Sequence, residues 1–187
     1  MKDAIERIMS KGKSVLLSQL ADRLENTQSN DGPFAPSKSS RCELIVEEDR
    51  DIYDADSTIE RIVVKNGVSN HPDIYEWDLS ECERLVELVV GNDCLQYLEE
   101  WKLSGLKSME KVEFGGGCMC KSEGGVFEMS ECEKLKSVVI GGGCFVNWSS
   151  FTLKNCGVVE VSIGDGCFVS CENTVFESAS CYNQSDE

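Results

Sequence analysis

The sequence holds one histidine and three prolines, and it has no apolar run approaching the roughly 20 residues that cross a bilayer. Each shortage closes off a class of function. His71 stands alone before Pro72 in a loop, so no Ser-His-Asp or Cys-His pairing is framed for nucleophilic catalysis, and the chain reads as non-enzymatic. A zinc site wants Cys or His in close pairs such as C-x-x-C. The nearest spacings here are Cys118-x-Cys120 and Cys167-x3-Cys171, so neither a metal nor another cofactor is expected. Basic residues are also scarce, 18 Lys and Arg against 34 Asp and Glu, for a net charge of −16. A field of that sign repels nucleic acid and anionic membrane, and a protein partner is expected to be basic. The VLL of KGKSVLLSQLA is too short and too charged in its flanks to serve as a signal peptide, which places the chain in the cytoplasm. If a signal has been removed, the chain is extracellular instead, and the sequons at Asn147 and Asn183 then matter.

Glycine and cysteine, by contrast, are plentiful, at 16 and 11 residues. Eleven cysteines in a secreted chain would suggest a disulfide framework. Their spacing points elsewhere: from Cys82 the separations to Cys94, Cys118, Cys132, Cys144, Cys156, Cys167 and Cys181 are 12, 24, 14, 12, 12, 11 and 14. A period near 12, doubled to near 25, is the mark of a structural repeat. Laid out at that period, residues 59–183 form five units, Ile59–Arg84, Leu85–Ser108, Met109–Lys134, Leu135–Gly157 and Val158–Asn183.

Apolar residues recur at the first, fourth and sixth positions of each unit, as in Leu85, Leu88, Val90 and Leu135, Val138, Ile140. The fourth and sixth alternate with outward residues, the period of a short strand. A second pair follows about a dozen residues later: Trp77 and Leu79, Trp101 and Leu103, Phe127 and Met129, Phe151 and Leu153, Phe176 and Ser178. One such unit cannot bury its own apolar side, so stacking is the stable solution. The expected fold is a β-rich repeat solenoid with two short strands per coil and parallel sheets.

The L-x-x-L-x-L pattern with its following turn, as in LKSVVIGGGCF and LVELVVGNDCL, resembles the leucine-rich repeat. The G-x-G-C-F turn and the F-x-L return strand are more narrowly similar to the BspA-like repeats of protist and bacterial proteins. The resemblance covers about two-thirds of the chain and implies a curved solenoid whose concave parallel sheet binds protein. One departure is that the place usually held by Asn or Cys is taken by Gly67, Asp93, Gly117, Gly143 and Gly166, with the cysteine one residue later. The asparagine ladder is therefore expected to be missing, and a generic parallel β-solenoid remains an alternative.

Local motifs fit a scaffold. GGGC follows a strand, but Phe, Val and Asn come next where a phosphate loop needs Lys-Ser/Thr and a helix N-terminus. Its glycines suit a tight turn. Cys94, Cys118, Cys144 and Cys167 form one column and Cys82, Cys132, Cys156 and Cys181 another, as small buried fillers, with inter-coil disulfides the alternative. The acidic run Glu47–Ser57 lacks the glycine and closing Glu of a calcium loop and reads as a capping segment.

The expected organisation has an amphipathic helical segment at 1–28, where Ile5, Ile8, Met9, Leu16, Leu20 and Leu24 fall near helical spacing. A linker at 29–41, a cap or degenerate repeat at 42–58, the solenoid at 59–183 and a tail at 184–187 follow. The helices serve either as a cap or as a docking element. The function expected is protein–protein interaction through the concave face. Its contact residues are the third-position Arg61, Glu87, Lys111, Ser137 and Glu160 and the fifth-position Val63, Val89, Glu113, Val139 and Ser162. A displayed, adhesin-like structural repeat is the alternative.

Overall fold

The computed structural model describes residues 42–157 and 160–178. The helices expected within 1–28, the linker and the tail lie outside the described residues. The rest is a parallel β-solenoid of about five turns. Six four-residue strands form a first sheet: β1 Glu43–Val46, β2 Arg61–Val64, β3 Glu87–Val90, β5 Lys111–Phe114, β7 Ser137–Ile140 and β9 Glu160–Ile163, in that spatial order. A second sheet stacks β4 Glu100–Ser104, β6 Val126–Ser130, β8 Ser150–Cys156 and β10 Asn173–Ser178. Every pairing is parallel, and the first sheet is in strict register, so Glu43, Arg61, Glu87, Lys111, Ser137 and Glu160 form one column.

The core lies between the two sheets. The fourth- and sixth-position residues Ile62, Val64, Leu88, Val90, Val112, Phe114, Val138 and Ile140 point into it and are at most 1% exposed. From the other sheet Trp101, Phe127 and Phe151 meet them as a ladder, with Phe127 and Phe151 stacked at 5.2 Å and Trp77 stacked on Trp101 at 5.5 Å. Phe114 and Phe145 fill the centre edge-to-face at 5.4 Å. Each such side chain contributes about 1.5–3 kcal/mol by leaving water, so the repeated apolar columns are the main source of stability.

Two details depart from the sequence expectation. The first unit contributes no return strand: Trp77 and Leu79 are buried, but only an isolated bridge, Glu76 to Glu100, joins this stretch to β4. Its other side is covered by a 3-10 helix, Asp49–Asp54, whose Ile52 carbonyl accepts a hydrogen bond from Trp77 Nε1 at 3.0 Å. In the last unit Thr174 and Phe176 stand opposite Phe151 and Leu153 in register, where Phe176 and Ser178 were expected. The loop from Cys167 to Thr174 has the short length of that from Cys144 to Phe151, whereas the expectation followed the longer loop from Cys118 to Phe127.

The corner after β3, β5, β7 and β9 is unusual. The residues on either side of the corner cysteine both take left-handed backbone: Asp93 and Leu95, Gly117 and Met119, Gly143 and Phe145, Gly166 and Phe168. Glycine accepts this conformation freely, but Phe145 at φ 54° is strained by about 1–2 kcal/mol. Complete burial of Leu95, Met119 and Phe145 holds them there. The acidic run caps the other end of the stack. Asp51 Oδ2 accepts from the Glu47 and Glu48 amides at 2.9 Å, and Asp49 Oδ1 from Ser69 N at 2.6 Å. The backbone bonds to Glu47 and Glu48 hold the Asp51 carboxyl below the usual aspartate range.

Candidate interaction surface

Because side chains alternate along a strand, the third and fifth positions of the first sheet share its outer face, and register stacks them into two adjacent columns. The third-position column alternates in sign. Arg61 pairs with Glu43 on one side and with Glu87 on the other, its Nε lying 2.8 Å from Glu87 Oε2. Lys111 Nζ lies 3.4 Å from Glu87 and also pairs with Glu113. Burial works to raise the Glu87 carboxyl, but its hydrogen bond and charge interactions with Arg61 and Lys111 hold it below the ordinary glutamate value. The ladder ends at Ser137 and resumes as an acid at Glu160.

The fifth-position column reads Ile45, Val63, Val89, Glu113, Val139 and Ser162. Its ends are open, with Ile45 45% exposed and Val63 and Ser162 partly exposed. Its middle is not: Val89, Glu113 and Val139 are 7%, 8% and 9% exposed although they face outward. The structure thus brings all ten expected contact residues onto one face, as the strand period requires. It also shows that Arg61, Glu87, Lys111 and Glu113 neutralise one another.

The glycine corner has no amides to spare for a phosphate at the positions that matter. Gly117 N donates to Gly142 O at 2.9 Å, Gly143 N to Asp165 O at 2.9 Å and Gly116 N to Asn92 Oδ1 at 2.7 Å. This last bond belongs to a short asparagine ladder that the sequence reading missed, since Asn66 Oδ1 likewise accepts from Asn92 N at 2.7 Å. The ladder sits one residue before the position where such an asparagine was sought. The cysteines also do more than fill space. The thiols of Cys94, Cys118, Cys144 and Cys167 donate to the carbonyls of Lys65, Gly91, Gly115 and Gly141 of the preceding coil, at 2.9, 3.0, 2.9 and 3.0 Å. A cysteine therefore supplies the inter-coil hydrogen bond that the displaced asparagine would have made. The ten described cysteines are all free thiols.

His71 is 61% exposed in its side chain and lies 3.5 Å from Asp73, with Asp73 N donating to its Nδ1. Among the described residues no group of three or more His, Cys, Asp or Glu is arranged to hold a metal ion, and no helix is long and apolar enough to cross a membrane. No family model matches the chain, and neither a curated protein nor a solved structure was found to be similar to it.

Proposed function

We propose that the chain is a non-enzymatic protein-interaction scaffold of leucine-rich-repeat-like, BspA-like type, which binds a protein partner through the outer face of its first sheet. The observation that carries the reading is the register. Four successive strands hold Glu43, Arg61, Glu87 and Lys111 as a continuous alternating-charge ladder beside Ile45, Val63 and Val89 of the fifth-position column. An ordered stripe of alternating charge sets which partner pattern meets attraction and which meets repulsion, and it does so more through specificity than through raw affinity. Ile45 and Val63, the open end of the fifth-position column, supply the dry contact beside it.

The test uses the ladder's own pairing. Reversing Arg61 alone would set it against Glu43 and Glu87. Reversing Glu43, Arg61, Glu87, Lys111 and Glu113 together keeps every ion pair and inverts the pattern. Circular dichroism and melting temperature should match wild type, while affinity capture should lose the wild-type partner. Identical captured sets would overturn the assignment of this face.

A further inference from the structure

The two ends of the solenoid are finished differently. At the first end Val46 is 0% exposed, and Ile52, the buried residue of the 3-10 helix that closes this end, is 1% exposed. At the last end the core columns come into the open. Val161, Ile163, Cys167 and Phe168 are partly exposed, and Phe176 is 48% exposed, with Thr174 exposed beside it. Their counterparts one coil earlier, Val138, Ile140, Cys144, Phe145 and Leu153, are between 0% and 3%. β9 and β10 are the last strands at this end of the two sheets, and among the described residues no further strand pairs with their outer edges, so these edges and side chains form one apolar end face. Terminal repeats need a cover.

Charge selects the cover. Residues 160–178 carry Glu160, Asp165, Glu172 and Glu177 and no Lys or Arg, although Lys154 lies 3.8 Å from Glu177. A second copy offers a poor match, since residues 42–187 carry 11 Lys and Arg against 29 Asp and Glu, a net of −18. The stretch 179–187 offers Cys181 and Tyr182 but no alternating apolar pair to continue Val161 and Ile163. Residues 1–41 lack that acidic excess: seven Lys and Arg stand against five Asp and Glu, and within 3–25 the count is four against four, with Lys11 and Lys13 adjacent to the apolar series. They also contain the apolar series from Ile5 to Leu24 at helical spacing. The six strands of the first sheet span five steps of about 4.8 Å, or about 24 Å, and thirteen linker residues, 29–41, reach up to about 45 Å.

We propose that the apolar, acidic end face formed by β9 and β10 is a docking surface for the chain's own amphipathic segment, residues 3–25, in which four basic residues, Arg7, Lys11, Lys13 and Arg23, balance four acidic ones. The segment lays Leu16, Leu20 and Leu24 against Ile163, Phe168 and Phe176 and brings Lys11 and Lys13 to the carboxylates of the last coil. This surface is separate from the charged ladder and does not rest on the proposed function.

Zero-length carbodiimide cross-linking of the full chain, read by peptide mass spectrometry of the monomer band, tests it. Links from Lys11 or Lys13 to Glu172 or Glu177 within one chain are expected. Leu16→Ser with Leu20→Ser lies outside the solenoid and should cut their yield at least fivefold with an unchanged melting temperature, and Phe176→Ser should do the same from the other side. Links that fall only on Glu47, Glu48 or Asp51, links that join two chains only, the lack of any link, or a yield indifferent to both variants would each overturn the proposal. The ladder-inverted protein should give the wild-type links, so the two readings fail separately.

Discussion

The corner glycines allow a sharp test, because Gly141 and Gly143 stand two residues apart and are glycine for different reasons. Gly143 has φ 71° and open space around it, so a Cβ there meets nothing within 4 Å. Gly141 sits in ordinary backbone, but a Cβ built on it would lie 2.6 Å from Gly115 C and from Gly116 N and 2.7 Å from Gly115 O. Those atoms are the backbone of the preceding coil, and no side chain can rotate out of the way. Gly143→Ala therefore meets only the left-handed penalty, about 1–2 kcal/mol. Gly141→Ala must push one coil off another, and the gap has to open by about 0.8 Å to reach ordinary contact near 3.4 Å. That movement breaks the neighbouring inter-coil bonds, Gly141 N to Phe114 O at 2.8 Å and Cys144 Sγ to Gly115 O at 2.9 Å. Two lost hydrogen bonds with overpacking give about 3–5 kcal/mol.

In urea, with m near 2 kcal/mol per M, the midpoint should fall by roughly 2 M for Gly141→Ala and by less than about 1 M for Gly143→Ala. The m values must agree with wild type for the comparison to hold. If the alanine at 143 proves the more damaging, or if both cost the same, close approach between coils is not what the first glycine provides. Gly143→Val should be worse than Gly143→Ala because a β-branched residue resists the left-handed region more strongly.

Cys118→Ala should destabilise by about 1–3 kcal/mol, by leaving the Gly91 carbonyl without its thiol donor, and Cys118→Ser should recover part of the loss. Equal thermal melts for the two variants would return the cysteine column to the role of inert filler. Stability should also fall in alkali. Burial pushes the Cys82 thiol from 9.0 up to about 11, with Asp56, Asp78 and Glu81 adding to the effect. The unfolded thiol thus loses its proton first, and the folded state forfeits up to about 1.4 kcal/mol per pH unit between about pH 9 and 11. Urea titrations across that range should show the decline, and Cys82→Ala should make it shallower without abolishing it, because Cys118, Cys132 and Cys167 are raised as well.

The fold was legible because its determinants are periodic. Val138 and Ile140, or Leu88 and Val90, announce a strand by alternation, and the recurrence of the pair every two dozen residues leaves stacking as the way to bury it. Once strands are stacked in register, residues at the same position of successive units must share a face, so Arg61, Glu87 and Lys111 could be placed together without coordinates. What the spacing did not reveal was pairing across that face. Alternation of sign from Glu43 to Lys111 was readable only after Cys42–Val46 had been aligned as a coil in its own right. The last unit misled for a related reason: Phe176 resembles the aromatic of its neighbours, but loop length and not residue type fixes register, and Thr174 took the place opposite Phe151.

The corner carries the more general point. In the coils that carry a corner cysteine the same three jobs have to be done: the chain must turn left-handed, two backbones must come close, and a carbonyl of the coil below must receive a hydrogen bond. Asn92-Asp93-Cys94 and Gly142-Gly143-Cys144 do these jobs with different residues at two of three positions. Asp93 accepts φ 55° where Gly143 has 71°, and Asn92 adds a side-chain acceptor for Gly116 N that Gly142 cannot offer. Only the cysteine is common to both, and its thiol reaches Lys65 O in one coil and Gly115 O in the other at the same 2.9 Å. A thiol is small enough to sit wholly inside a corner and still donate, whereas an asparagine needs a partner for each end of its amide. The regular cysteine spacing is therefore a record of backbone bonding between coils, and a stack built this way leaves the residues of its outer faces free to vary without disturbing it.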